Sequence, residues 1–198
     1  MRMQKPLILG GLLGGLVLFA WGAISYMALP WHRMALEKFT DEAVVAQTLT
    51  ANASVSGMYI LPNPHKHEPG LTDAQRQAAE DDGMKRMMQG PFMFASVSLG
   101  GTRDMGQALL LNVLSDILAA ALATWLLLQT ANLSYWCRVG FVVVVALTTG
   151  VVAHVPYRIW WRFSTSFTLV EFADLLIGWT LAGLVLAKVT SVHSRPMT

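Results

Sequence analysis

Four long runs of apolar residues, each bounded by polar or turn-forming positions, dominate the chain. They cover residues 7–29, 105–129, 135–155 and 167–188. A helix crossing the hydrocarbon of a bilayer needs about 20 residues at ~1.5 Å each. Every run meets that length, so the pattern predicts four transmembrane helices. The first run follows Arg2 and Lys5 and could be read as a cleavable leader. Its apolar stretch exceeds the roughly 7–15 residues usual for a leader, and no small-x-small cleavage site closes it. It is therefore expected to be a retained helix.

Residues 30–104 break this pattern. Pro30 ends or kinks the first helix, and Trp31 and His32 have the character of an interfacial boundary. The segment 40–53 reads as a short helix with Thr40 as its N-cap. Residues 56–62 read as a strand stopped by Pro62. Residues 71–90 read as a second helix, with Thr72 and Gln75 at capping-box spacing and Gly90 at its end. Residues 91–99 read as a second strand. The expected fold class is an all-α integral membrane protein: a four-helix transmembrane bundle with a small external α/β cap formed by residues 30–104. Residues 156–166, with Tyr157, Trp160 and Trp161, read as an interfacial segment at the outer surface. Residues 1–6 and 189–198 are short terminal tails.

Lys and Arg in short loops orient the bundle. Arg2, Lys5, Arg138, Lys188 and Arg195 fall on one side, and Arg158 and Arg162 on the other. The expected topology is N-in and C-in with residues 30–104 outside, in a bacterial inner membrane. Composition agrees with a lipid environment. Hydrophobic residues make up 54% of the 198, and charged residues only 13%, against about 25% in soluble domains. A formal net charge of +2 and the lack of a basic stripe give no sign of nucleic-acid binding. The single cysteine, Cys137, rules out an intrachain disulfide.

The first helix opens with GGLLGGL, four glycines in seven residues. Mid-helix glycine costs about 1 kcal/mol relative to alanine in water. In lipid the backbone keeps its helical bonds for want of any other partner, and glycine then offers close approach to a second helix. Gly11, Gly15 and Gly22 fall along one stripe. Gly178, Ala182 and Gly183 form a similar surface on the fourth helix. A contact between the first and fourth helices, or with another membrane protein or a second copy, is the expectation.

Candidate chemistry lies in the polar residues of the helices. A carboxylate at mid-membrane costs about 2.5–3.5 kcal/mol on insertion scales, so such groups face the bundle interior. Asp116 is one turn from Asn112. Glu171 and Asp174 share a face of the fourth helix. His154 ends the third helix, followed by Arg158 and Arg162. In the expected topology all these groups fall in the outer half of the bundle. Three readings are open. One is an internal network in which Arg158 and Arg162 neutralise Glu171 and Asp174. A second is an outward-facing polar pocket for an ion, a proton or a small ligand. The third is a metal site combining His154 with the acids. In the external segment, His65 and His67 precede Met84, Met87 and Met88, a donor set that suits copper but equally reads as packing surface and solvated loop. These residues leave any cofactor unspecified.

No Walker loop, nucleophile elbow, His-Glu-x-x-His or haem-attachment motif occurs, so nothing points to an enzyme. The order of helix, long external segment and three helices resembles that of claudin-like four-helix membrane proteins. That family's loop carries paired cysteines and residues 30–104 have none, so no residue role is carried over. The leading expectation is a non-enzymatic accessory or assembly subunit that packs against membrane partners or itself through its small-residue faces. The alternative is a membrane protein with a polar ligand pocket.

Overall fold

The computed structural model describes residues 4–65, 69–130 and 132–193. Two compact units divide the chain. One holds residues 1–37 and 103–198, the other Lys38–Thr102.

The first unit is helical. Its long helices are α1 (Gln4–Ala23), α5 (Met105–Gln129), α6 (Tyr135–Trp160) and α7 (Thr165–His193), with a short α2 (Trp31–Met34) after α1. Four spans, Gln4–Ala28, Met105–Gln129, Tyr135–Trp160 and Thr165–Ser191, are long and apolar enough to cross a membrane. In each, only 17% to 22% of the most apolar window is buried within the protein. The greasy surface is therefore mostly on the outside, the reverse of a water-soluble bundle.

In α1 that inversion is complete. Its buried residues are Pro6, Gly10, Gly11, Gly14 and Gly15, while Ile8, Leu12 and Leu16 point outward at 62%, 51% and 59% exposure. A Cβ added at Gly15 would stand 2.6 Å from the Cα of Ile117, and one at Gly11 would stand 3.0 Å from the Cβ of Ala121. The stripe thus packs on α5, running antiparallel to it. The expected contact between the first and fourth helices also forms, but through other residues of α1. Gly14 lies between α5 and α7, where a Cβ would meet Ala120 and Leu186. Gly22 leaves the stripe altogether, with nothing within 4 Å of its Cβ position. On α7, Gly178 receives the indole of Trp21 from α1, and Gly183 faces Val142 of α6. Ala182 is fully buried.

A core of Ala123, Leu127, Val142 and Leu186 joins α5, α6 and α7. At that end Arg138 is buried in the first turn of α6. Its Nε donates to the Leu133 carbonyl at 3.1 Å and its Nη1 to the Leu127 carbonyl at 3.5 Å. The guanidinium thus ties the connection between α5 and α6 to the last turn of α5.

Two helix ends differ from expectation. Pro156 lies inside α6, which continues to Trp160, so the interfacial segment expected over residues 156–166 is much shorter. Proline removes one helical hydrogen bond and crowds the carbonyl four residues earlier, a cost that membrane-length helices tolerate. Arg162, at φ 59°, turns the chain in the left-handed region, and the Ser164 hydroxyl accepts from the Phe167 amide at 3.2 Å to start α7. At the far end of α1, the last turn widens into a π-helix, Ile24–Ala28.

The second unit contains α3 (Glu42–Asn52), β1 (Gly57–Leu61), α4 (Asp73–Gln89) and β2 (Met93–Val97). The strands pair antiparallel, Gly57 opposite Val97 and Leu61 opposite Met93. Asp41, not Thr40, caps α3, accepting from the Val44 amide at 3.0 Å. The capping box of α4 is complete: Gln75 Oε1 accepts from the Thr72 amide and Thr72 Oγ1 from the Gln75 amide. Gly83 lets α4 lie against Pro64, 2.8 Å from its Cβ position.

Gly15→Leu should drive α1 off α5, because the obstruction is backbone rather than a side-chain tip. We expect a loss of at least about 1–3 kcal/mol, the usual cost of overpacking, in denaturant unfolding in detergent. Gly22→Ala should leave the midpoint within about 0.5 kcal/mol of the parent, as a substitution in open space does.

Candidate functional site

The π-turn and Pro30 reverse the chain so that α2 folds back beside the end of α1. That reversal buries His32, at 6% exposure, against α7. His32 Nδ1 lies 3.2 Å from Glu171 Oε1, and its Nε2 lies 3.0 Å from Ser25 Oγ and 3.8 Å from Asp174 Oδ1. The Tyr26 ring stacks on the imidazole, with centroids 3.7 Å apart, and its hydroxyl reaches both Glu171 oxygens at 3.4 Å.

The bonds run in one direction. Trp31 Nε1 donates to Ser25 Oγ at 2.9 Å. The Ser25 hydroxyl is then free to donate to His32 Nε2, and Nδ1–H donates to the Glu171 carboxylate. A neutral imidazole satisfies every member of this chain. Trp21 Nε1 meanwhile donates to Asp174 Oδ1 at 2.8 Å. Gly178 makes that bond possible, since a Cβ there would stand 2.9 Å from Trp21 Cδ1.

Arg158 and Arg162 do not neutralise these acids. Arg158 Nη1 donates to the Phe163 carbonyl at 3.4 Å, and among the described residues neither arginine pairs with Glu171 or Asp174. Arg158 lies in the last turn of α6 and Arg162 just beyond it, past the turn that carries His154, while the acids point toward α1. The partners are instead His32, Tyr26 and Trp21, which the linear pattern did not single out. The polar-tipped run from Ser25 to His32 was the available signal. It reads as an interfacial anchor until the chain reversal is known.

A cavity of about 640 Å³ opens beside this network. Asn112 and Asp116 of α5, His154 of α6, and Glu171 and Asp174 of α7 all line it. Five of the seven residues expected in a polar pocket thus share one space. Asn112 Nδ2 donates to Asp116 Oδ2 at 3.0 Å. The other Asp116 oxygen has no partner among the described residues. His154 contacts the Phe172 ring, with centroids 6.4 Å apart, and borders a second cavity of about 260 Å³ that Glu171 also lines. The remaining walls of the large cavity are apolar or aromatic, among them Leu18, Phe19, Leu109 and Trp179. Gly22 lines it too, and the missing side chain leaves that wall open.

In the second unit, His65 is exposed, as are Met84 and Met88, at 48% and 87%. Met87 is half-buried. His67 lies outside the described residues. Among the described residues no three His, Cys, Asp or Glu side chains come together as a metal site.

Fold and cavity together define a class: a bundle of four membrane-length helices with a polar-floored, apolar-walled cavity between them. No protein-family profile, curated protein or solved structure matches the chain.

Trp21→Phe keeps the ring and removes the N–H at Asp174. We expect it to lower stability by about 1.5–3 kcal/mol, the range for a hydrogen bond to a charged group. Gly178→Ala should cost a similar amount by displacing the indole. The double variant should lose less than the sum of the two, as coupled sites do, in the same unfolding assay.

Proposed function

We propose that this is an integral membrane protein that binds an ion, a proton or a small ligand in the cavity between its helices. The observation that carries the reading is the convergence of Asn112, Asp116, His154, Glu171 and Asp174, from three helices, on one cavity of about 640 Å³. That volume lies within the roughly 300–1,000 Å³ typical of ligand pockets. Ionisable groups within a membrane helix are costly to insert, and they commonly mark substrate or ion sites. Here Glu171 and Asp174 are held by donors from the end of α1 and from α2, and Asp116 keeps an oxygen open to the cavity. The setting we favour is a bacterial inner membrane, termini inside and residues 30–104 outside, from the distribution of Lys and Arg. The cavity then opens toward the outer face.

The second reading is an accessory or assembly subunit that packs through small-residue faces. Most of the glycines that motivated it meet this chain's own helices: Gly11 and Gly15 meet α5, Gly178 meets α1 and Gly183 meets α6, while Gly22 meets nothing within 4 Å. This ranks it below the pocket. It keeps support from the large apolar outer surface of the helices.

Cysteine accessibility tests the pocket. In a Cys137→Ser background, Leu109→Cys and Leu175→Cys, both on the cavity wall, should react with a membrane-impermeant methanethiosulfonate added to sealed spheroplasts. Leu118→Cys, on an exposed position of α5 at 62% away from the cavity, should stay unreactive. If Leu109→Cys and Leu175→Cys react no faster than Leu118→Cys from either side of the membrane, the pocket reading is wrong.

A further inference from the structure

We infer that the cavity takes an organic monocation with an apolar body. The inference rests on reading the cavity as a ligand site, and it names the chemistry that site would select. Charge comes first. Asp116, Glu171 and Asp174 line the space, and among the described residues no lysine or arginine does. His32 is taken up by Glu171, Asp174 and Ser25. Among the described residues, Asp116 has only the Asn112 amide as a hydrogen-bond partner. An anionic or phosphate-bearing ligand would meet three acids with no compensating cation. A cation would relieve the cost of holding a carboxylate in an apolar bundle.

The walls then exclude a bare inorganic ion. A metal ion needs several converging oxygen or nitrogen ligands at short range. No such triad of His, Cys, Asp or Glu exists among the described residues, and the space is far larger than an ion requires. Most of the lining is apolar, with Phe19, Trp21, Tyr26 and Trp179 among it. Aromatic faces attract a diffuse organic cation, most strongly when the pair is desolvated. Leu18, Leu109 and Leu175 offer surface to an apolar body. The phosphate of a zwitterionic lipid is disfavoured by the same acids, so the occupant is a free organic cation rather than an aminolipid headgroup.

Two ions of matched shape and opposite charge test this. The full chain in phosphatidylcholine nanodiscs is titrated with tetraphenylphosphonium and with tetraphenylborate, subtracting binding to empty discs. We expect saturable tetraphenylphosphonium binding at one site, and tetraphenylborate binding at least about tenfold weaker, a step of ~1.4 kcal/mol. Asp116→Asn should weaken phosphonium binding by a similar factor. Gly22→Leu should do the same by filling the cavity where nothing lies within 4 Å of the added Cβ, with its unfolding midpoint unchanged. Equal binding of the borate overturns the inference. So does phosphonium binding that ignores both substitutions, or that disappears when phosphatidylethanolamine replaces phosphatidylcholine. If no phosphonium binds while Leu109→Cys and Leu175→Cys still react, the cation inference falls and the pocket stands. If neither is seen, both fall.

Discussion

The near-contact of α1 with α5 at Gly11 and Gly15 sets the rest of the helical unit. With no side chain between them, α1 comes within van der Waals reach of the Ile117 and Ala121 backbone. Such closeness recovers dispersion energy that lipid, as apolar as leucine, does not otherwise yield. The remainder of α1 has no such freedom. Leu18, Phe19, Trp21 and Tyr26 carry bulk toward the other end. Small residues close the packing at one end, and the cavity lies at the other, among these larger side chains. At that end Gly178 admits the Trp21 indole, and Gly22 leaves the cavity wall open.

Polar groups then divide into two kinds of work. Glu171 and Asp174 are fixed by a chain of donors from Trp21, Tyr26 and His32. A carboxylate with such partners tolerates low dielectric, since its desolvation is offset by hydrogen bonds to the charge. The network also pins the reversal at Pro30 to α7, so the end of α1 and the start of α2 are held together through the acids. Asp116 belongs to the second kind. It has one neutral partner and faces open space. Fixed acids on α7 and an available one on α5, lining the same space, describe a site that is shaped before anything enters it, the arrangement that lowers the cost of binding.

The unit formed by residues 38–102 follows local rules instead. Asp41 caps α3, Thr72 and Gln75 cap α4, and the two strands bond to each other. A longer-range steric requirement is Gly83 against Pro64. The outcome rests on short-range chemistry that a reader of the chain can follow residue by residue, down to the choice between Thr40 and Asp41. At that choice a carboxylate one position later made the better acceptor.

That contrast marks how far the chain could be read. Length and apolarity of the four spans are properties of contiguous residues, so four membrane-length helices were legible, as was the capping box of α4. The Asp116–Asn112 and Glu171–Asp174 pairings on common faces follow from helical spacing and were legible too. The partners of those faces were not. Gly15 meets Ile117, Trp21 meets Asp174 and His32 meets Glu171 across about a hundred residues or more of intervening chain, and no local pattern encodes which helix rotates toward which. The arginines near the end of α6 looked like the natural counter-ions because they were near in sequence. The histidine that instead bonds Glu171 became near only when a π-turn and a proline folded the chain back. By itself the sequence determined the helices, their lipid-facing surface and the acids within them. Tertiary structure decided which residues complete the site, because steric fit between distant backbones sets the spacing and orientation that hydrogen bonds require.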